Sequence, residues 1–115
     1  MNRAYHVRID RVSQGASGDE KPADRLSIDS KDFLWLYVEA ELPRTSPPSG
    51  EYYKIVSDKP EPGTRVRLEP PTLVNGHYRF SVIHFVLSEH SRYLFHFADD
   101  LNTPNYEDRW EIATL

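Results

Sequence analysis

The 115-residue chain has no cysteine. Its absence excludes disulfides, thiolate metal sites, iron–sulfur clusters and cysteine nucleophiles. Long apolar runs are missing too. The longest, Phe33 to Val38, falls far short of the roughly 20 residues a spanning helix needs. The start, Met1 to Arg8, alternates charge without an apolar h-region, so no signal peptide is expected there. No lipidation signal stands at Ala113-Thr114-Leu115. The expectation is a soluble, cytoplasmic protein without a transmembrane segment. Nucleophile elbow, P-loop, dinucleotide fingerprint and zincin helix are all absent, which removes the positive signals for catalysis.

What is present describes one domain, residues 1–115, of a size that can bury a core without staples. Charged residues make up 28% and the net charge is only −4, which argues against disorder. Aromatics reach 12%, so much of the apolar mass sits in a few large rings. Nine prolines and five glycines punctuate short apolar runs, the pattern of an all-β chain.

Tyr5, Val7 and Ile9 alternate with His6, Arg8 and Asp10, giving a half-buried first strand. Ser13 to Asp24, with Gly15, Gly18 and Pro22, reads as a long loop, and Leu26 and Ile28 as a short edge strand. Phe33 to Leu42 fits helix or strand by spacing. Its Phe33, Trp35, Tyr37 and Val38 favour the pleated surface, and Pro43 ends it. As a strand it turns Leu34, Leu36, Val38 and Ala40 one way, and Phe33, Trp35 and Tyr37 the other. Further strands are expected at Tyr52–Val56, Thr64–Leu68, Tyr78–Leu87, Tyr93–Ala98 and Trp110–Ala113. Such a chain predicts a single-domain antiparallel β-sandwich of about seven short strands, C2-like or immunoglobulin-like in outline.

Asn75-Gly76 is the sharpest local signal. Both residues tolerate positive φ, so a type I′ hairpin pairs Val74 with His77 and Leu73 with Tyr78. Continued as a C-terminal meander, that register sets Leu68 opposite Ile83 and Val66 opposite Phe85, with a bulge at Pro70-Pro71. A loop at Ser88–Ser91 then pairs Leu87 with Arg92, Phe85 with Leu94 and Ile83 with His96. Val66, Leu68, Ile83, Phe85, Leu87, Leu94 and Ala98 become the core face. Arg65, Arg67, Glu69, Phe80, Val82, His84, Val86, Tyr93, Phe95 and Phe97 become the outer one.

Three classes of function follow. Arginine and aromatic residues are enriched where proteins bind proteins, so the outer face is the candidate binding surface: Trp35, Arg65, Arg67, His84, Tyr93 and Phe95. On that reading the chain is a non-catalytic protein-binding module: a small inhibitor or antitoxin-like protein, an adaptor, or an assembly subunit. Its partner is another protein, a second copy included. A second class is a calcium-binding sandwich. Asp19, Glu20 and Asp24 of the first long loop would meet Asp99, Asp100 and Asp108, all hard oxygen donors. This is similar to a calcium-dependent C2-type module in outline only, and Asp in turns has the simpler role of bonding its own backbone. The third is a small metal-dependent enzyme. His84 and His96 point to opposite faces in the meander register, and a three-residue loop at Glu89–Ser91 would oppose them, but no third ligand is specified. Ten arginines against four lysines suit phosphate reading, yet the negative net charge weighs against nucleic acid. No organic cofactor is implied.

Overall fold

A computed structural model describes residues 4–115. The strands are β1 (His6–Gln14), β2 (Lys21–Ala23), β3 (Leu34–Glu41), β4 (Ser49–Val56) and β5 (Lys59–Pro60). They continue with β6 (Val66–Arg67), β7 (Thr72–Val74), β8 (His77–Val82), β9 (Arg92–Ala98) and β10 (Glu107–Ala113). A 3-10 turn at Pro62–Thr64 is the sole helical element among the described residues. Sheet one runs β2-β1-β3-β8-β7 and sheet two β10-β9-β4-β5, with β6 also on β4, every pairing antiparallel. The expected all-β sandwich is therefore what the chain forms, with several two- and three-residue strands raising the number.

Within the stretch Phe33 to Leu42, Leu34–Glu41 is strand, as its aromatic and β-branched content predicts. Leu34, Leu36 and Val38 of β3 are buried against the core, while Trp35 turns outward. β1 runs further than expected, to Gln14. A bulge between Ile9 and Arg11 shifts its alternation by one, so Val12 follows Val7 and Ile9 into the core. The expected strand at Leu26 and Ile28 reduces to one parallel bridge, Ile28 to Thr114, with Ile28 buried and Leu26 exposed.

The hairpin at Asn75-Gly76 has the predicted register, and both residues have positive φ, 48° and 81°. Beyond it the meander is corrected. Pro70 and Pro71 give the chain no N–H with which to continue β7 backwards, and here it passes from one sheet to the other. β6 lies in sheet two, Val66 opposite Tyr52 and Arg67 opposite Glu51, so Leu68 does not face Ile83 nor Val66 Phe85. At its far end β8 stops at Val82. The chain then turns through Phe85, at φ 64°, whose N–H donates to the Ser30 carbonyl at 2.9 Å. It crosses over to β9, which pairs with β4 and β10 and not with β8. The expected Leu87–Arg92, Phe85–Leu94 and Ile83–His96 pairs do not exist.

The crossover decides which way β9 faces. Tyr93, Phe95 and Phe97, expected outside, are the inner residues, and Leu94 and His96 lie on the outer side. Tyr93 is 5% exposed and Phe95 0%. Phe97 packs on Phe80 of the opposite sheet, ring centroids 4.7 Å apart, and Phe95 stacks on Tyr52. Gly50 lies opposite Phe97, and a Cβ there would come within 2.6 Å of its ring. That approach is the reason for glycine in a strand interior.

The two side seams of the sandwich differ. On one, β1 lies beside β10, and the Asp108 carboxylate accepts the Ile9 N–H at 2.8 Å, replacing a missing strand. On the other, no ladder among the described residues joins β6 to β8, and β7 covers β8 only as far as Arg79.

Candidate functional site

The six expected surface residues separate into four places. Trp35 is half-buried on the outer face of sheet one, its Nε1 donating to the Gly15 carbonyl at 2.8 Å. His84 is exposed in the β8–β9 loop, edge-on to Phe33. Arg65 and Arg67 are on the outer side of sheet two, beside β4. Tyr93 and Phe95 belong to the core, where both rings pack on Tyr52, so neither lies on a surface with Arg65 and Arg67.

On sheet one, outward arginines lie over aromatic rings. The guanidinium of Arg79 lies 4.5 Å above the Trp35 ring, and that of Arg11 lies 4.1 Å above Tyr37. Glu20 gathers the cluster, accepting from Ser13 at 2.9 Å, from the Tyr37 hydroxyl and from Arg79. Glu20 belongs to this cluster and not to a calcium loop.

The aspartates are likewise engaged by backbone. Asp24 accepts from the Leu26 N–H, and Asp108 from Ile9 and Arg109. Asp100 accepts from the Asn102 and Thr103 N–H groups, which hold its carboxyl below the usual value. Burial pushes the Asp99 carboxyl up, but the N–H groups of Asn105, Tyr106 and Asp100 together outweigh it and leave it lowered. Asp19 is exposed in its loop. Among the described residues no three histidines or acids gather as a cation would require. The expected calcium cluster of Asp19, Asp24, Asp99, Asp100 and Asp108 does not assemble among the described residues: Asp24, Asp99 and Asp100 each turn an oxygen to N–H groups of their own loops, and Asp108 turns to Ile9. Nor do His84 and His96 meet, because β8 and β9 are in different sheets.

His96 instead completes a row of charge across sheet two. The register sets Arg67 opposite Glu51, Glu51 opposite His96, and His96 opposite Arg109. His96 Nδ1 lies 2.9 Å from Glu51 Oε2, and Nε2 2.9 Å from Glu107 Oε1. Carboxylates only accept, so both contacts are hydrogen bonds when the ring carries both protons. Glu51 gives its other oxygen to Arg65, and Glu107 also meets Arg109 at 2.8 Å. Glu51 is 3% exposed and His96 6%. Above them a groove of about 500 Å³ lies between Tyr53, Pro60, Leu101 and Pro104. Both ring nitrogens and both Glu51 oxygens are taken, so this row positions arginines and offers no free base. Sequence reading missed Glu51, and it placed Glu107 in an acidic loop; the outward alternation Glu107, Arg109, Glu111 is the signal that β10 already begins at Glu107.

The open seam is different in kind. Val66 is 42% exposed and Ile83 59%, with Val86 beside them, and Phe85, 69% exposed, stands between Ile83 and Val86 in the same loop with its ring edge-on to His84. A groove of about 250 Å³ runs between Val66 and Leu68 on one wall and Val82, Ile83 and Val86 on the other. Past Arg67 and Glu69 it continues into a hollow of about 580 Å³ flanked by Pro47, Pro70, Pro71 and Phe80. Val66 keeps the inward direction its alternation predicts, but the edge beside it is uncovered.

Comparison of the chain with protein-family models, with curated proteins and with solved structures finds no match.

Proposed function

We propose that this protein is a non-catalytic protein-binding module whose contact surface is the open seam between β6 and β8. One observation carries the reading: the β8–β9 loop holds Ile83, Phe85 and Val86 out in solvent on a fixed backbone. Phe85 is at φ 64°, a conformation that costs a bulky residue about 1–3 kcal/mol. Its N–H is tied to Ser30, which is buried, and the neighbouring His84 ring packs on Phe33 at 4.9 Å. Strain and apolar exposure thus coincide at one place. A partner that covers the loop would remove the exposure and give the strain a use.

The test is affinity capture from a lysate of the encoding organism, with wild type, Phe85→Glu and Ile83→Glu as baits. A protein held by wild type and lost from both variants supports the reading. Identical captures by all three would refute it. Once a partner is in hand, Phe85→Ala should weaken it about 30-fold or more, the loss expected of a buried aromatic anchor.

A further inference from the structure

We infer that the seam receives an extended segment of the partner as an added strand on β6, with a carboxylate side chain opposite Arg67. This rests on the seam being a contact surface and specifies what enters it. The backbone supplies the first argument. Leu68 donates its N–H to the Gly50 carbonyl at 2.9 Å, so the alternation of an antiparallel ladder turns the N–H and C=O of Arg67 away from β4. They face the groove, where no strand of the described residues meets them. Unpaired edge groups of this kind are the template for strand addition. Pro62 and Pro70 bracket the edge, which limits the added segment to the few residues alongside Arg65–Glu69.

Charge supplies the second argument. The row Arg109, His96, Glu51, Arg67 crosses sheet two in register and ends on a cation. Glu51 already bonds Arg65 and His96, and Arg67 has no hydrogen-bond or ion-pair partner among the described residues. The next strand in that row places one side chain directly opposite Arg67, and an acid there pairs with its unpartnered guanidinium. Its two neighbours in sequence point inward, over Val66 and Leu68 and against Val82, Ile83 and Val86. The recognised pattern is therefore apolar–acidic–apolar in an extended chain.

Panning a phage-displayed random octapeptide library on the full chain tests this. Selected peptides should carry the apolar–acidic–apolar pattern. Binding should protect the Arg67 amide from hydrogen exchange. It should weaken about tenfold when the peptide N–H facing Arg67 is methylated. Arg67→Ala should lower affinity about fivefold, and Arg67→Glu should select lysine or arginine in place of the acid. A circular dichroism spectrum matching wild type keeps both variants interpretable. No selection, or peptides indifferent to methylation and to Arg67, overturns strand addition. If that happens while a captured partner still depends on Phe85, the binding module stands and only this mode falls; loss of both refutes the surface itself.

Discussion

Leucine at position 96 would fill the space of the His96 ring and remove its two contacts with carboxylates. The consequences for those carboxylates are unequal. Glu107 is 32% exposed at its side chain and can turn to water. Glu51 is 3% exposed, so its Oε2 loses its partner without gaining solvent, and only Arg65 continues to bond it. A buried charge stripped of one partner costs about 3–5 kcal/mol. Burial of the apolar leucine offsets about 1 kcal/mol of this. His96→Leu should therefore destabilise by about 2–4 kcal/mol, a large share of the roughly 5–15 kcal/mol typical of a domain. Urea denaturation followed by circular dichroism reads this as a lower midpoint at unchanged slope. Glu51→Gln in the same background removes the stranded charge, so the double variant should recover at least about 1 kcal/mol relative to the sum of the singles. A loss below about 1 kcal/mol in His96→Leu, or strict additivity in the cycle, would refute the claim that the pair is electrostatically coupled.

Other expectations concern the core, the loops and the seam. Gly50→Val, forced against the Phe97 ring, should cost about 1–3 kcal/mol in a thermal or urea melt, whereas a smaller loss would mean the ring can move aside. The Asp99 and Asp100 carboxyls are held below their ordinary 3.8, so the stability they contribute is complete above that value and declines as pH falls through their lower folded-state values. Carbon-detected titration of the two side chains should show both midpoints below those of a model peptide, and Asp99→Ala should flatten the acid limb of the stability curve. Phe85→Asn, which accommodates positive φ, should raise stability by about 1 kcal/mol while abolishing capture of a partner. A variant that gains stability and still binds would detach the strain from the function.

How far the fold can be read from the chain depends on whether the deciding forces are local. Asn75-Gly76 specifies its own turn, and the register of the six residues around it follows. A turn with the same pairing joins β4 to β5 at Ser57-Asp58, with φ 53° and 63°, but those residue types signal it weakly. β9 is legible as a strand and illegible as to face. Its two alternating sets, Tyr93/Phe95/Phe97 and Leu94/His96/Ala98, are both largely apolar, so periodicity cannot choose between them. The choice is made by two crossovers, one at Pro70-Pro71 and one at Phe85, neither of which alternation reveals. For the same reason the seam is hidden: Ile83, Phe85 and Val86 read as the end of a strand, while the structure places them in a turn. Arg67 is the exception, since its outward direction follows from Thr64–Leu68 whichever sheet receives it.

The inequality of the two seams has a consequence for valency. β2 is three residues long and contains Pro22, and β7 is equally short and follows Pro70-Pro71. β5 has only two residues, one of them Pro60, and beside β10 lies β1, whose Ile9 N–H is already taken by Asp108. A molecule that can accept a strand at one edge and offers none of its others for the next addition ends a stack instead of extending it. Its complexes should therefore be of fixed stoichiometry, one partner segment per domain, and should not grow into fibres as concentration rises.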